Sequence, residues 1–259
     1  EVDKTQIPIA DQEQPTTMST DERNRMKILE MNEDNLNKND KKELRDLRDK
    51  RDDEKVDTAL HMTTSEFDTL SAEYKDIEDR IKDKTATEED LKRKEELEEK
   101  GIGAGTAESQ AGEAVTHFTI RMLKKGYTIE QIEEYLNGVV SNPDHVLGGS
   151  DALKAWVPRG IATAKKVIEE VGGVDNIETI SWDTDEGRQA IGVRTTKQGF
   201  KTASDMFIKT KDGTKIGVSL KKDGQVRILS GGWKTQQQKL RADMLANDTQ
   251  GELTKKKYR

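Results

Sequence analysis

Of the 259 residues only 31% are hydrophobic and 37% are charged, against about 25% charged in an ordinary globular domain, which excludes one core running the whole length. No cysteine is present, so disulfides, thiolate metal sites and cysteine nucleophiles are excluded, and three histidines argue against a His-rich metal centre. The net charge of −7 is uneven: residues 1–100 hold 31 acids and 20 bases, whereas residues 201–259 hold 14 bases and 6 acids, so an acidic average does not argue against a polyanionic partner.

No window approaches the roughly 18 apolar residues of a membrane span, and no h-region marks a signal peptide. A start at Glu1 rather than Met fits a processed chain, a segment of a longer one or a choice of numbering. Residues 1–20 lack a hydrophobic period and contain Pro8 and Pro15, so they read as extended or disordered. From Thr20 as N-cap a polar helix runs through Arg25–Leu29, and a second starts at Asp40 after an Asn-rich stretch. Both have little core face. Phe67, Leu70, Tyr74, Ile77 and Ile81 are spaced 3, 4, 3, 4, which puts them on one stripe of a helix capped by Thr64. Thr87 with Asp90 three residues on reads as a capping box for a helix that ends before Gly101.

Residues 21–100 therefore read as a charged helical arm or helical hairpin, a solvated spacer or assembly element. Its heptad run is shorter than the three to four repeats that fix an oligomer, so an oligomer stays open. Gly101, Gly103, Gly105 and Gly112 mark 101–112 as a Gly-rich linker. It is not a dinucleotide fingerprint, because Thr106 stands where a glycine is needed and a charged helix precedes it.

Beyond the linker, residues 113–246 read as an α+β domain and 247–259 as a basic tail. Ala114, Val115, Phe118, Ile120, Met122 and Leu123 suggest a helix stopped by Gly126. Thr128 caps another, and a third covers about 151–170, closed by Gly172-Gly173. The period then switches to two. Strands are predicted at 177–183, 205–210, 214–221 and 226–230, the last three joined by Asp-Gly turns, with a polar helix from 234 to 246. A two-residue turn at Asp212-Gly213 would set Asp205 across from Leu220 and mix a carboxylate into an apolar face. A three-residue turn with Gly213 left-handed instead pairs Thr210 with Thr214 and Asp205 with Ser219, so the hydrophobic pattern selects it. Met206, Ile208, Ile216, Val218 and Leu220 then share one face, and Asp205, Ser219 and Lys221 the other.

A carboxylate beside a lysine on the neighbouring strand suits metal-assisted phosphodiester cleavage. The acid holds a hard dication that polarises the phosphate, and the lysine positions water and offsets developing charge. Ser204-Asp205 followed by Gly217-Val218-Ser219-Leu220-Lys221 resembles the PD-(D/E)XK, restriction-endonuclease-like nuclease superfamily, in the tailed-phage variant with an SD…GVSLK hairpin. The resemblance covers about residues 105–240. It implies a mixed sheet with flanking helices behind the charged arm, Mg²⁺ or Mn²⁺ held by Glu113 and Asp205, and Lys221 assisting the water. Ser219 departs from the pattern, standing where the family carries its central acid; a neutral hydroxyl is a poorer ligand for a hard dication. Asp183 on the preceding strand is a candidate to compensate.

Plainer readings stand beside these. Asp205 would cap a strand start, Ser219 would be a small residue under a helix, Lys221 would be surface charge beside Lys222, and Glu113 would meet a helix N-terminal dipole. Trp156 and Trp182 read as core anchors, and His117 and His145 have no paired ligand. Lys222, Lys234, Lys239, Arg241 and the Lys255–Lys257 run with Arg259 are candidates for sequence-independent phosphate contacts. The expected function is a metal-dependent DNA nuclease of a phage, in the host cytoplasm or virion, with residues 21–100 engaging other virion or assembly proteins and no membrane partner. The alternative is a virion structural or assembly protein that keeps the fold without catalysis. A plain α+β interaction domain is the third reading, favoured if Asp205 and Lys221 point to opposite faces.

Overall fold

Short polar side chains set where the helices begin. In the computed structural model, which describes residues 17–103, 106–182, 184–193, 204–220 and 226–230, capping boxes at Ser19/Glu22, Thr63/Glu66, Thr87/Asp90 and Thr128/Gln131 start helices α1 (Thr20–Met31), α3 (Thr64–Lys82), α4 (Glu88–Glu99) and α6 (Ile129–Val140). Asn37 caps α2 (Lys38–His61), and Thr106 caps α5 (Ala107–Lys124). Two expected caps thus shift by one residue, from Thr20 to Ser19 and from Thr64 to Thr63, because in each case the residue before supplies the hydroxyl to the N3 amide. The second helix likewise starts at Lys38 rather than Asp40. The helix expected over 151–170 divides into α7 (Asp151–Lys154) and α8 (Trp156–Glu170). Pro158 explains the break: its ring cannot donate and would clash with the Lys154 carbonyl in a continuous helix.

The described residues fall into two compact units, helical up to Asp175 and α/β from Asn176. In the helical unit α5 is the central element, with residues from Ala107 to Met122 buried along nearly its whole length. Small residues let α8 approach it closely. A Cβ on Gly112 would lie 2.4 Å from the Trp156 ring, and one on Gly160 would lie 2.4 Å from Val115 Cγ1. Met18, Met26, Leu29 and Leu44 form a second cluster between α1 and α2, with Leu36 and Leu47 at its margin.

The arm is not the solvated spacer expected from its composition. α2 packs on α5 as well as α1, and it does so partly through charge. Arg48 (6% exposed) pairs with Glu30 and Glu33 at 3.1 and 2.8 Å, and Arg121 (8% exposed) pairs with Asp53 and lies 3.9 Å from Asp52 (5% exposed). Burial pushes the neighbouring Asp49 carboxyl above its ordinary range despite Arg121 and Lys124. A polar helix face thus meets its partners through matched ions, which hydrophobic periodicity does not register. The Gly-rich linker is also shorter than expected. Residues 107–112 are helical, and Gly101 and Gly103, with φ +85° and +96°, close the chain tightly beside Gln110 and Tyr74.

In the α/β unit, strands β1 (Ile177–Trp182), β2 (Met206–Thr210), β3 (Lys215–Leu220) and β4 (Val226–Ser230) form a sheet in sequence order. All three pairings are antiparallel, which corrects the mixed sheet expected for the described residues. Short connections of the β2–β3 kind reverse the chain, and a parallel neighbour would need a long crossover. Helix α9 (Asp185–Ile191), not anticipated, follows β1 and packs on β1 and β2. Its signals are the Thr184 cap and Gly192, which ends it at φ +71°. The predicted helix at 234–246, the basic tail and the first 16 residues lie outside the described residues.

Candidate functional site

The β2–β3 hairpin has the predicted register. Thr210 N–H donates to the Thr214 carbonyl at 2.9 Å, Gly213 has φ +84°, and the ladder pairs Ile208 with Ile216 and Met206 with Val218. The turn is held by Asp212, whose carboxylate accepts the Thr214 N–H at 3.0 Å and the Thr210 hydroxyl; these bonds hold its carboxyl below the ordinary range. Both faces of the hairpin are covered. Met206, Ile208, Ile216 and Val218 are buried on one face, while Phe207 and Ser219 are buried on the other.

At the open end the ladder stops one residue short of the expected pair. Asp205 lies just before β2; its N–H donates to the Val218 carbonyl at 2.8 Å, and its Oδ2 accepts the Leu220 N–H. The carboxylate therefore takes the place of a backbone acceptor at the strand start, as the plainer reading of Asp205 had it. That contact also fixes the carboxylate beside the Ser219–Leu220 peptide of β3. Ser219 is 1% exposed, and its hydroxyl has no hydrogen-bond partner among the described residues. The position expected from the resemblance to stand in for an acid thus holds a buried neutral hydroxyl.

Two residues that shape this corner carried no assignment from sequence. Ser204 is 5% exposed and lies against Gly217, where a Cβ would stand 2.3 Å from the Ser204 hydroxyl. Gly217 therefore lets the Ser204-Asp205 segment cross β3 closely enough for the Leu220 bond. The glycine of the GVSLK run was the available signal.

Glu113 is half-buried on α5 of the helical unit, six residues past the helix start at Ala107. It is thus not the helix-terminal acid of its plainer reading, since the macrodipole effect fades beyond the first turn. Trp156 and Trp182 are 7% and 6% exposed, and His117 is fully buried; the two tryptophans are core anchors, as expected. Asp183, Lys221, Lys222, Lys234, Lys239 and Arg241, with the Lys255–Lys257 run, lie outside the described residues. Among the described residues no three His, Asp or Glu side chains group as a metal site, and no helix is long and apolar enough to cross a membrane. Comparison with family models, curated proteins and solved structures gives no match.

Proposed function

We propose that this chain is a metal-dependent DNA nuclease of PD-(D/E)XK type from a tailed phage. The observation that carries this reading is the Asp205 carboxylate on the Leu220 N–H, one residue from the lysine that the resemblance makes catalytic. A magnesium ion keeps several waters and binds through one or two protein carboxylates with substrate phosphates, so a hairpin that positions one carboxylate at its open end fits it. Mg²⁺ or Mn²⁺ would supply polarisation of the scissile phosphate and a more acidic bound water. Asp205 would orient the ion, and Lys221 would hold the attacking water and offset charge on the phosphate. Lys222, Lys234, Lys239 and Arg241 would bind DNA phosphates without reading sequence.

A second reading is an assembly protein of the virion that keeps the nuclease-type hairpin without catalysis. The buried, neutral Ser219 favours it, because a hydroxyl 1% exposed offers a dication little. Its contacts with other virion proteins would lie on residues 21–100. Paramagnetic broadening separates the two. Mn²⁺ added to the ¹⁵N-labelled protein is expected to broaden the amide signals of Asp205, Ser219 and Leu220, and Asp205→Asn, which can still accept the Leu220 N–H, is expected to abolish the effect. Sharp signals at these residues under saturating Mn²⁺ would favour the assembly role.

A further inference from the structure

Two of the three histidines meet at one junction of the helical unit. The turn between α2 and α3, residues 60–64, is tied to the loop that follows α6. Thr64 N–H donates to the Asp144 carbonyl at 2.8 Å, Val146 N–H donates to the Met62 carbonyl at 3.3 Å, and Thr63 and His145 form an isolated antiparallel bridge. At the centre His145, 3% exposed, uses both ring nitrogens on backbone groups. Its Nε2 is bonded to the Leu60 carbonyl, and its Nδ1 to the Leu147 N–H at 3.0 Å.

Elementary hydrogen-bond chemistry fixes the tautomer. A carbonyl only accepts, so Nε2 carries the proton; an N–H only donates, so Nδ1 presents its lone pair. A second proton on Nδ1 would set two donors face to face and remove the Leu147 bond. His145 must therefore be neutral for this junction to close.

His61, one residue past the Leu60 carbonyl, is built the opposite way. Its Nδ1 lies 2.9 Å from the Asp57 carbonyl and 3.1 Å from an Asp57 carboxylate oxygen, and its Nε2 lies 3.0 Å from the Tyr135 hydroxyl of α6, so Nδ1 carries a proton. Glu66, in the first turn of α3, accepts the Thr63 N–H at 3.0 Å, and Asp144 of the loop lends its carbonyl to Thr64. Asp57 is the carboxylate paired with His61.

We propose that His61 and His145 form a pH-sensitive clasp, closed while His145 is neutral and tightened when His61 is charged, that holds the start of the α3–α4 hairpin to the rest of the helical unit and releases it on acidification. Elsewhere the hairpin packs chiefly on itself, through Tyr74 with Glu98 at 2.9 Å and Arg93 with Glu73 at 2.7 Å. Its far end is held separately, where Gln110 bonds the Gly101 carbonyl. Opening the clasp thus frees this end of the hairpin.

The electrostatics have the matching sign. Burial lowers the His145 pKa below its ordinary value, and the charge of His61 adds to this. Its contribution is complete at neutral pH and is lost as pH falls below about 6.5, where the unfolded histidine takes up a proton. The Asp57 hydrogen bond raises the His61 pKa, so the stabilisation from that pair is full below about 6.5 and is lost as pH rises through the raised value. Closure is strongest between the two titrations.

The test is amide hydrogen exchange on the full chain between pH 7.5 and 4.5, corrected for the intrinsic pH dependence of exchange, with the histidine ring signals followed by NMR. Protection of Thr64, Val146 and Leu147 is expected to fall at least about tenfold below pH 6, with the midpoint of the His145 ring titration. In His145→Gln, whose amide can donate and accept in the same places, protection is expected to lose that pH dependence. Protection in the wild type that stays level while His145 titrates would overturn the clasp, as would an equal acid loss in His145→Gln.

Discussion

At the scale of single residues, the site turns on close approach. Asp205 reaches the Leu220 N–H only because the preceding Ser204 can lie against a position with no side chain. The Gly217→Ala variant puts a methyl group 2.3 Å from the Ser204 hydroxyl. It is expected to cost about 1–3 kcal/mol of stability, measured by chemical denaturation, and to shift the Leu220 amide resonance as the Asp205 bond lengthens. An unshifted Leu220 resonance would separate Gly217 from Asp205. Residue types told part of this in advance: Asp205, Ser219 and the two tryptophans stand near where pattern reasoning puts them. The bond from Asp205 to a backbone amide was not legible, since a strand-cap carboxylate and a metal-ligand carboxylate have the same sequence.

At the scale of elements, turn chemistry was the most legible feature. Asp212-Gly213 gave the hairpin, and the demand that Met206, Ile208, Ile216 and Val218 share a face selected the three-residue form with Gly213 left-handed. Open space surrounds Gly213, so a side chain there would meet backbone strain alone. Gly213→Ala is expected to destabilise the α/β unit by about 1–2 kcal/mol, read as a lower midpoint in urea; an unchanged midpoint would mean the turn relaxes into another form. Helix α9 was missed because its seven residues are too few to show a hydrophobic period. The split between α7 and α8 was missed although Pro158 stood in plain view. Helix starts were legible to within a residue or two, since Ser, Thr and Asn caps act through their immediate neighbours.

At the scale of the whole molecule, composition misled where charge is internal. Residues 1–100, with 31 acids and 20 bases, include the stretch 21–100 that reads as a charged, solvated arm, yet α2 carries Arg48 and Asp52 into buried pairings that join α1, α2 and α5. Summed charge cannot distinguish a solvated face from a matched one; only the partners' positions do. The class, α+β with helices first and strands after, followed from the change of hydrophobic period near residue 177. The proposal that the Asp205 corner serves phosphodiester cleavage is checked by incubating supercoiled plasmid with the full chain in Mg²⁺, Mn²⁺ or EDTA. Nicked or linear DNA is expected with metal and none with EDTA, with at least about a hundredfold loss in Asp205→Ala and Lys221→Ala. Intact plasmid under every metal condition, from protein whose amide spectrum shows it folded, would contradict it.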